Sequence, residues 1–216
     1  MAGLCSVGAE SLAAAIRAGA AATPTPTATA TLTPIAPVFA HTVVLKPVSG
    51  RVFIRVPGIS TVYVRLTHER SVPVGTVVDA TIGRVSLRSA NPPPGYTQTG
   101  QFFGGVFRIE QNQAGAGLVD LVLRDNFSQA VCRAKTARAA SLSQRVLGLL
   151  RGVAKGRFRT TGRFSAATVR GTDWGVRDRC DGTLTVVREG TVRVTDFRRH
   201  KAVVLGAGQT YLARAG

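Results

Sequence analysis

The sequence predicts an all-β fold: a β-roll, a short β-solenoid or a sandwich, built from many short strands. Three observations lead to this prediction. The apolar residues, 44% of the chain, are rich in Val, and 24 Gly and 10 Pro punctuate them. Apolar and polar residues also alternate in short runs separated by turn residues, at intervals of about eight to twelve residues. A chain of 216 residues is long enough to bury a substantial core.

The first 40 residues predict a disordered tail. Residues 1–22 are Ala-rich, and residues 11–22 have the composition of a short helix. Residues 23–37 read TPTPTATATLTPIAP, which is typical of a semi-stiff linker because Pro favours extended backbone and the run has no apolar stripe to bury. We therefore divide the chain into a tail and linker, residues 1–40, and a β domain, residues 41–216.

An export signal is not evident at this N-terminus. The first residues contain no Lys or Arg, and Arg17 interrupts the apolar stretch. No segment approaches the roughly 18 apolar residues of a membrane-spanning helix. Three alternatives stay open: a signal lost upstream of Met1, non-classical export, or a protein that remains inside the cell.

Period-two alternation predicts the strands of the β domain. Turn pairs separate them, for example Pro57-Gly58, Asp181-Gly182 and Glu189-Gly190. The predicted strands are residues 51–56, 62–67, 84–89, 105–110, 118–123, 164–169, 183–188, 191–196, 202–205 and 210–213.

One segment breaks this alternation and predicts a short helix near residues 141–153. Its sequence, SLSQRVLGLLRGV, begins with an S-x-x-Q capping pattern. Gly148 and Gly152 weaken the helix. The apolar residues near helical spacing are Leu142, Val146, Leu149, Leu150 and Val153.

The formal net charge is +17, and the excess lies in residues 41–216. Such an excess favours attraction to a polyanion, namely nucleic acid, anionic lipid or an acidic cell-wall polymer; a solvated basic surface is the alternative.

Part of this excess positive charge lies in one basic run, residues 155–163. Lys155, Arg157, Arg159 and Arg163 share odd numbering, while two Phe take even positions. If residues 155–164 form one strand, the four cations line one face and both Phe side chains enter the core. We therefore predict these four residues as a polyanion-binding row, against the alternative of a solvated strand face.

The chain contains three cysteines, Cys5, Cys132 and Cys180, without C-x-x-C or Cys/His ligand spacing. A zinc site is therefore not indicated. Cys132 and Cys180 both lie in the structured region, and a disulfide between them would imply an oxidising compartment. Two buried free thiols in a cytosolic protein are the alternative.

Residues 167–178 read ATVRGTDWGVRD, followed by CDGTLTVVREGTVRV and AVVLGAGQTYL. This succession resembles the extracytoplasmic domain of the FecR family, over about Ser49 to Ala213. Arg170, Gly171, Thr172 and Trp174 form the signature, and we interpret them as structural, with Trp174 as a large buried side chain. The signalling regulators of that family carry an anti-sigma segment and a membrane span that this N-terminus lacks. The resemblance therefore implies a stand-alone or modular version at the bacterial cell surface.

No pattern of catalytic residues emerges. His41, His68 and His200 are isolated, and no Ser lies in a G-x-S-x-G context. We expect no enzyme, no cofactor and no metal site. The sequence favours a non-enzymatic exported β domain that meets an anionic cell-wall polymer or an envelope protein. The alternatives are an envelope signalling regulator of the FecR type whose N-terminal anchor is missing, and a cytosolic nucleic-acid-binding protein.

Overall fold

A computed structural model of the chain describes Gly3, residues 35–124, Cys132 and residues 144–215, with the side chain of Arg170 excepted. This part of the chain is all-β, which confirms the predicted fold class. The predicted helix over residues 11–22 and almost all of the predicted disordered tail and linker lie outside the described residues. The strands are β1 (Thr42–Arg55), β2 (Val64–Arg65), β3 (Arg70–Pro73), β4 (Val77–Asn91), β5 (Tyr96–Phe103), β6 (Val106–Gln111), β7 (Val119–Leu123), β8 (Val146–Thr161), β9 (Ser165–Arg179), β10 (Gly182–Glu189), β11 (Val192–Asp196), β12 (Lys201–Leu205) and β13 (Thr210–Arg214).

A closed ring of strands, a small barrel, forms the centre of the fold. Strand β4 pairs with β5, β5 with β8, β8 with β7, β7 with β6, and β6 again with β4. The β7–β8 pair is parallel and the others are antiparallel. Closure removes free edges at the centre of the sheet, which is one way in which β proteins avoid edge-to-edge association.

Strands β4 and β8 are long because each pairs with two strands in succession along one edge. Strand β8 pairs with β5 over residues 151–155 and with β7 over residues 158–161. The register with β9 shifts between Ala154 and Arg157, and Gly156 in this bulge has φ +131°. A bulge bends the strand locally, so β8 can pass from one partner to the next.

The outer strands extend both sides of the barrel. Strand β1 pairs with β4 on one edge and with β2 and β3 on its other edge. Strand β9 pairs with β8 on one edge. On its other edge, it pairs with β11 through residues 165–169 and with β10 through residues 173–179. Strands β12 and β13 lie beyond β11 and β10.

Aromatic side chains fill the hydrophobic core inside the barrel. Phe102, Phe107, Phe158 and Trp174 are fully buried. The ring centroid of Phe102 lies 6.0 Å from that of Phe107, 5.3 Å from that of Phe158 and 6.1 Å from that of Trp174. These are separations at which tilted and edge-to-face pairs are favourable.

Each strand predicted from alternation overlaps an observed strand. The predicted helix is wrong over residues 146–153, which form the first half of β8, and its start over residues 141–143 lies outside the described residues. The physical reason is strand pairing: β9 pairs with β8 from Val146 to Ala154 and β5 pairs with it from Arg151 to Lys155, which outweighs the local apolar spacing. Gly152 also faces inward, and a Cβ there would lie 2.7 Å from the Trp174 ring.

Strand β5 was not predicted from the sequence, because not all of its inward-facing residues are apolar. Gln98 and Gly100 face inward together with Phe102, and all three are buried. Gly100 has no room for a side chain, since a Cβ would lie 2.6 Å from the Phe102 ring and 2.8 Å from Ala154 Cβ. The resulting sequence, YTQTGQFF, has no period-two apolar signal.

Candidate functional site

A disulfide joins Cys132 and Cys180, with 5.3 Å between their Cα atoms. Both residues are half-buried. Of the two alternatives that the sequence left open, a disulfide or two buried free thiols, the structure contains the disulfide. Structural disulfides persist in oxidising environments and are rare in the cytosol.

The predicted basic row is not continuous. Lys155 and Arg157 are exposed on β8 and Arg159 is half-exposed, while Phe158 is fully buried, as the alternation requires. The strand ends at Thr161, however, and Arg163 lies in the following turn. Its guanidinium stacks on the half-buried Phe164 ring, with 5.4 Å between Cζ and the ring centroid. The predicted single row with both Phe side chains in the core is therefore wrong, because β8 turns back into β9 before residue 163.

Two of the predicted cations serve the fold. Arg159 Nη2 lies 2.6 Å from Asp120 Oδ2, and Thr161 donates its hydroxyl to Asp120 Oδ1 at 2.7 Å. The Arg157 guanidinium donates to the Ala116 carbonyl. These contacts tie β8 to β7 and to the turn before it, so they leave Arg157 and Arg159 less free to bind a ligand.

Lys155, by contrast, makes no hydrogen bond or ion pair with any residue that the structure describes. It lies at a groove of about 580 Å³ on the outward face of β5, β8 and β9. The outward side chains along this groove are mainly polar: Thr97, Thr99, Gln101, Val153, Lys155, Asp173 and Glu189.

A stack of arginine and phenylalanine side chains lies beside the groove. Phe103 on β5 is paired with Arg84 on β4 and with Arg151 on β8. Arg84 Cζ is 3.9 Å from the Phe103 ring centroid and Arg151 Cζ is 4.8 Å from it. Because β5 lies between β4 and β8, one guanidinium packs on each side of the ring, which holds both in place by cation–π attraction.

Further contacts orient the same side chains. Arg84 Nη1 donates to Gln101 Oε1 at 3.2 Å. Arg188 on β10 lies 3.5 Å from Asp173 through Nη1 and Oδ1. Arg151 Nε is buried and has no hydrogen-bond partner among the described residues. We call the set Arg84, Phe103, Arg151, Lys155 and Arg188 the basic-aromatic face.

Gly175 connects the arginines of this face across β9. It pairs with Arg151, and a Cβ at Gly175 would lie 3.6 Å from Arg151 Cγ and 3.8 Å from Arg188 Nη1. The missing side chain therefore lets the two arginines approach each other over the sheet. Their like charges favour the approach of an anion to this part of the surface.

The signature residues lie in β9 beneath and beside the groove. Trp174 is fully buried and donates its indole N–H to Thr160 Oγ1 at 3.1 Å. Thr172 is buried and donates to the Thr191 carbonyl at 3.2 Å, and Gly171 adopts φ +65°. The backbone of Arg170 pairs with Arg157. Trp174 and Thr172 are thus buried, and the interpretation of the whole signature as structural stays a prediction.

Most carboxylates among the described residues pair with arginines or accept backbone hydrogen bonds, with Glu189 at the groove as an exception. Glu110 and Asp120 are cross-strand neighbours on β6 and β7 beside a second cavity of about 500 Å³, but Arg108 pairs with the first and Arg159 with the second. The carboxylate of buried Asp178 accepts the backbone N–H of Arg163. Within the described ranges, no group of three or more His, Cys, Asp or Glu side chains is arranged to hold a metal ion.

Sequence reasoning found Lys155 but missed Arg84, Phe103, Arg151 and Arg188. Alternation in residues 84–89 does place Arg84 on the polar face. Nothing local indicates that Phe103 and Arg151 lie next to it, because they are 19 and 67 positions away and meet only through strand pairing. The Phe-Phe pair at residues 102–103 before a Gly pair was the available signal of a strand.

Comparisons of the chain with protein-family models, with curated proteins and with solved structures found no match. The resemblance to the FecR domain therefore rests on the sequence motifs alone and stays a prediction. In the part of the chain that the structure describes, no helix is long and apolar enough to cross a bilayer.

Proposed function

We propose that this chain is a non-catalytic, extracytoplasmic β domain that binds an acidic, hydroxyl-rich polymer, such as a cell-wall polysaccharide, on its basic-aromatic face. The observation that carries the proposal is the Arg84–Phe103–Arg151 stack beside the open groove. The half-buried Phe103 ring orders two guanidinium groups, which reduces the side-chain entropy that they lose on binding.

The spacing of the cations supports a polymer as the ligand. Arg84 and Arg151 lie on β4 and β8 with β5 between them, so two inter-strand distances, about 10 Å, separate their backbones. Arg188 and Lys155 extend the charge in two directions from Arg151. A chain with repeating carboxylates or phosphates can contact several of these cations at once, and guanidinium groups bind both anions in a bidentate way.

The groove supports a ligand that also carries hydroxyl groups. Thr97, Thr99 and Gln101 present hydroxyl and amide groups, and Asp173 and Glu189 present acceptors. Acceptors of this kind bind sugar hydroxyls but repel a ligand that is anionic along its whole length. Nucleic-acid binding by base stacking is disfavoured, since guanidinium groups already lie against both sides of Phe103.

The extracytoplasmic location is supported by the Cys132–Cys180 disulfide and by the implication of the FecR resemblance. Both agree with a module that works outside the reducing cytosol. An acidic cell-wall polymer is the polyanion that such a location offers in quantity.

Binding of polygalacturonate by the full chain, measured by calorimetry in a salt series, tests the proposed function. We expect affinity for polygalacturonate, which falls as salt rises, and none for neutral dextran. Arg151→Ala should weaken binding on the order of tenfold, because it removes a charged hydrogen-bond donor and unstacks Phe103. The matched control is Arg193→Ala, an exposed arginine on β11 away from the face.

Equal losses in the two variants would show that net charge alone attracts the polymer and would overturn the proposed site. Tighter binding to double-stranded DNA than to polygalacturonate, at the same salt concentration, would overturn the proposed ligand class.

A further inference from the structure

The segment between β1 and β2, together with the first residue of β2, exposes a cluster of apolar side chains. Ile59 is 80% exposed, Val62 65%, Val64 48% and Tyr63 43%. Isolated apolar side chains are normal on protein surfaces, but several within six residues of one loop indicate an interaction site.

This loop has an ordered backbone that holds the apolar side chains outward. The N–H groups of Ile59 and Ser60 donate to the Val56 carbonyl at 3.3 and 3.1 Å. Ser60 Oγ donates to the Val62 carbonyl at 2.9 Å and accepts the Val62 N–H at 3.2 Å. The exposure of the apolar side chains is therefore built into the turn.

Cations surround the base of the loop. Arg51 and Arg65 are exposed, and Arg55 is half-exposed and stacks on Tyr63, with 5.4 Å from Cζ to the ring centroid. Residues 11–68 contain no Asp or Glu. Asp79 on β4 pairs with Phe53 at the end of β1 that leads into the loop. Its carboxylate accepts the Thr81 N–H at 2.9 Å.

A second pair of arginines lies on the other side of the loop. Arg108 and Arg124 line a shallow cavity with Ser60 and Thr61. Arg108 pairs with Glu110, whereas Arg124 is exposed and has no ion-pair partner among the described residues. The loop is thus an apolar tip with arginines on the neighbouring strands and in the cavity beside it.

We propose that residues 57–64, the apolar tip, dock on an anionic lipid bilayer. Ile59 and Val62 insert at the boundary between headgroups and acyl chains, and Arg51, Arg55 and Arg65 bind lipid phosphates. The charge complementarity selects this partner, because an apolar tip with a cationic rim matches the acyl interior and the phosphate layer of such a membrane. The inference does not depend on the proposed polymer site, which lies on β4, β5, β8 and β10.

Vesicle co-sedimentation of the full chain tests this inference. We expect binding to vesicles of phosphatidylcholine with phosphatidylglycerol and little to phosphatidylcholine alone. Replacing both Ile59→Ser and Val62→Ser should lower the partition coefficient on the order of tenfold, and each of Arg51→Gln and Arg65→Gln about fivefold. The control is Val204→Ser, a 66%-exposed valine on β12.

Fluorescence of the Ile59→Trp variant separates insertion from surface adsorption, because the native Trp174 is fully buried. A blue shift and quenching by brominated lipid are expected on binding to the anionic vesicles. The inference is overturned if the chain does not bind the anionic vesicles. It is also overturned if Arg151→Ala abolishes vesicle binding while the two serine substitutions leave it unchanged. The second outcome would assign vesicle adsorption to the basic-aromatic face. Capture of a protein by the tip without vesicle binding would overturn it as well.

Discussion

Asp196 shows how a single buried carboxylate fixes a turn in this fold. It ends β11 and is almost fully buried. Its Oδ1 accepts the N–H groups of Arg198 and Arg199, both at 3.0 Å, and its Oδ2 accepts the Tyr211 hydroxyl at 2.7 Å. One side chain thereby links the β11–β12 turn to β13.

These contacts determine the ionisation of the pair. Burial opposes the charge of Asp196, but hydrogen bonds from the Arg199 N–H, the Tyr211 hydroxyl and the Arg198 N–H outweigh it and lower the pKa below 3.8. Burial and the neighbouring carboxylate raise the pKa of Tyr211 above 10.0. Since the folded pKa of Asp196 lies below the unfolded one, its stabilisation is present above the unfolded pKa and is lost as the pH falls through the folded pKa.

Asp196→Asn should therefore lower Tm at pH 7 by about 5 °C, through loss of charge-assisted hydrogen bonds. The difference from the parent protein should narrow as the pH falls below about 4. Calorimetry from pH 2 to pH 7 measures both effects. The control is Asp79→Asn, a half-exposed carboxylate; a Tm difference for Asp196→Asn that stays constant over this pH range would contradict the assignment.

At the scale of elements, Gln98 fills the gap where β8 changes partners. Its Oε1 accepts the Arg157 N–H at 2.7 Å, in the place of a backbone carbonyl of a paired strand. Its Nε2 donates to Ser89 Oγ at 3.1 Å and to the Gly117 carbonyl at 2.6 Å. Gln98 thus connects β5, β8, β4 and the turn before β7 at one position, and it supplies an acceptor for the Arg157 N–H where β8 changes partners.

Gln98→Met keeps the size of the side chain and removes all three hydrogen bonds. We expect a loss of about 1–3 kcal/mol in the free energy of unfolding. The Arg157 N–H loses its acceptor, and the Gly117 carbonyl keeps only the hydrogen bond from Gln111 Nε2. Urea denaturation measures the loss. Thr97→Val, at an exposed position of the same strand, should stay within about 0.5 kcal/mol, and a similar loss in both variants would argue against the bridging role.

At the scale of the whole molecule, the disulfide closes a loop that contains a long barrel strand, β8, and the long outer strand paired with it, β9. Residues 132–180 include all of β8 and β9. A cross-link over 48 residues restricts the unfolded chain and contributes about 4 kcal/mol by chain entropy. The same bond fixes the end of β9, next to the turn into β10.

Replacing both Cys132→Ser and Cys180→Ser should reduce the free energy of unfolding by about 4 kcal/mol. Chemical denaturation with and without reductant measures this loss, and reductant should have no further effect on the double variant. Cys5→Ser is the control and should leave the parent stability and its sensitivity to reductant unchanged. Full labelling of all three thiols in protein isolated from its host without reductant would contradict a disulfide in the functional protein.

Charge is distributed unevenly over the whole molecule. Ion pairs occupy the carboxylates of Glu69, Glu110, Asp120, Asp173 and Asp181. Lys155 on the basic-aromatic face and Arg124 beside the apolar tip have no ion-pair partner among the described residues. With a net charge of +17 for the chain, both surfaces can attract an anionic partner.

The sequence by itself determined the all-β class and the outward or inward sense of many side chains, because alternation is a local property of a strand. Lys155 and Arg157 point outward and Phe158 inward on that basis alone. It also narrowed the three cysteines to one plausible pair, Cys132 and Cys180.

Only the tertiary structure decided which strands are neighbours. Residues 146–153 are helical by spacing and extended in fact, because β9 pairs with them and β5 pairs with the last three. The same pairing brings Arg84, Phe103 and Arg151 together from three distant segments. Register between strands is a non-local property, set by the closure of the barrel around Phe102 and Trp174, and no local pattern in the chain encodes it.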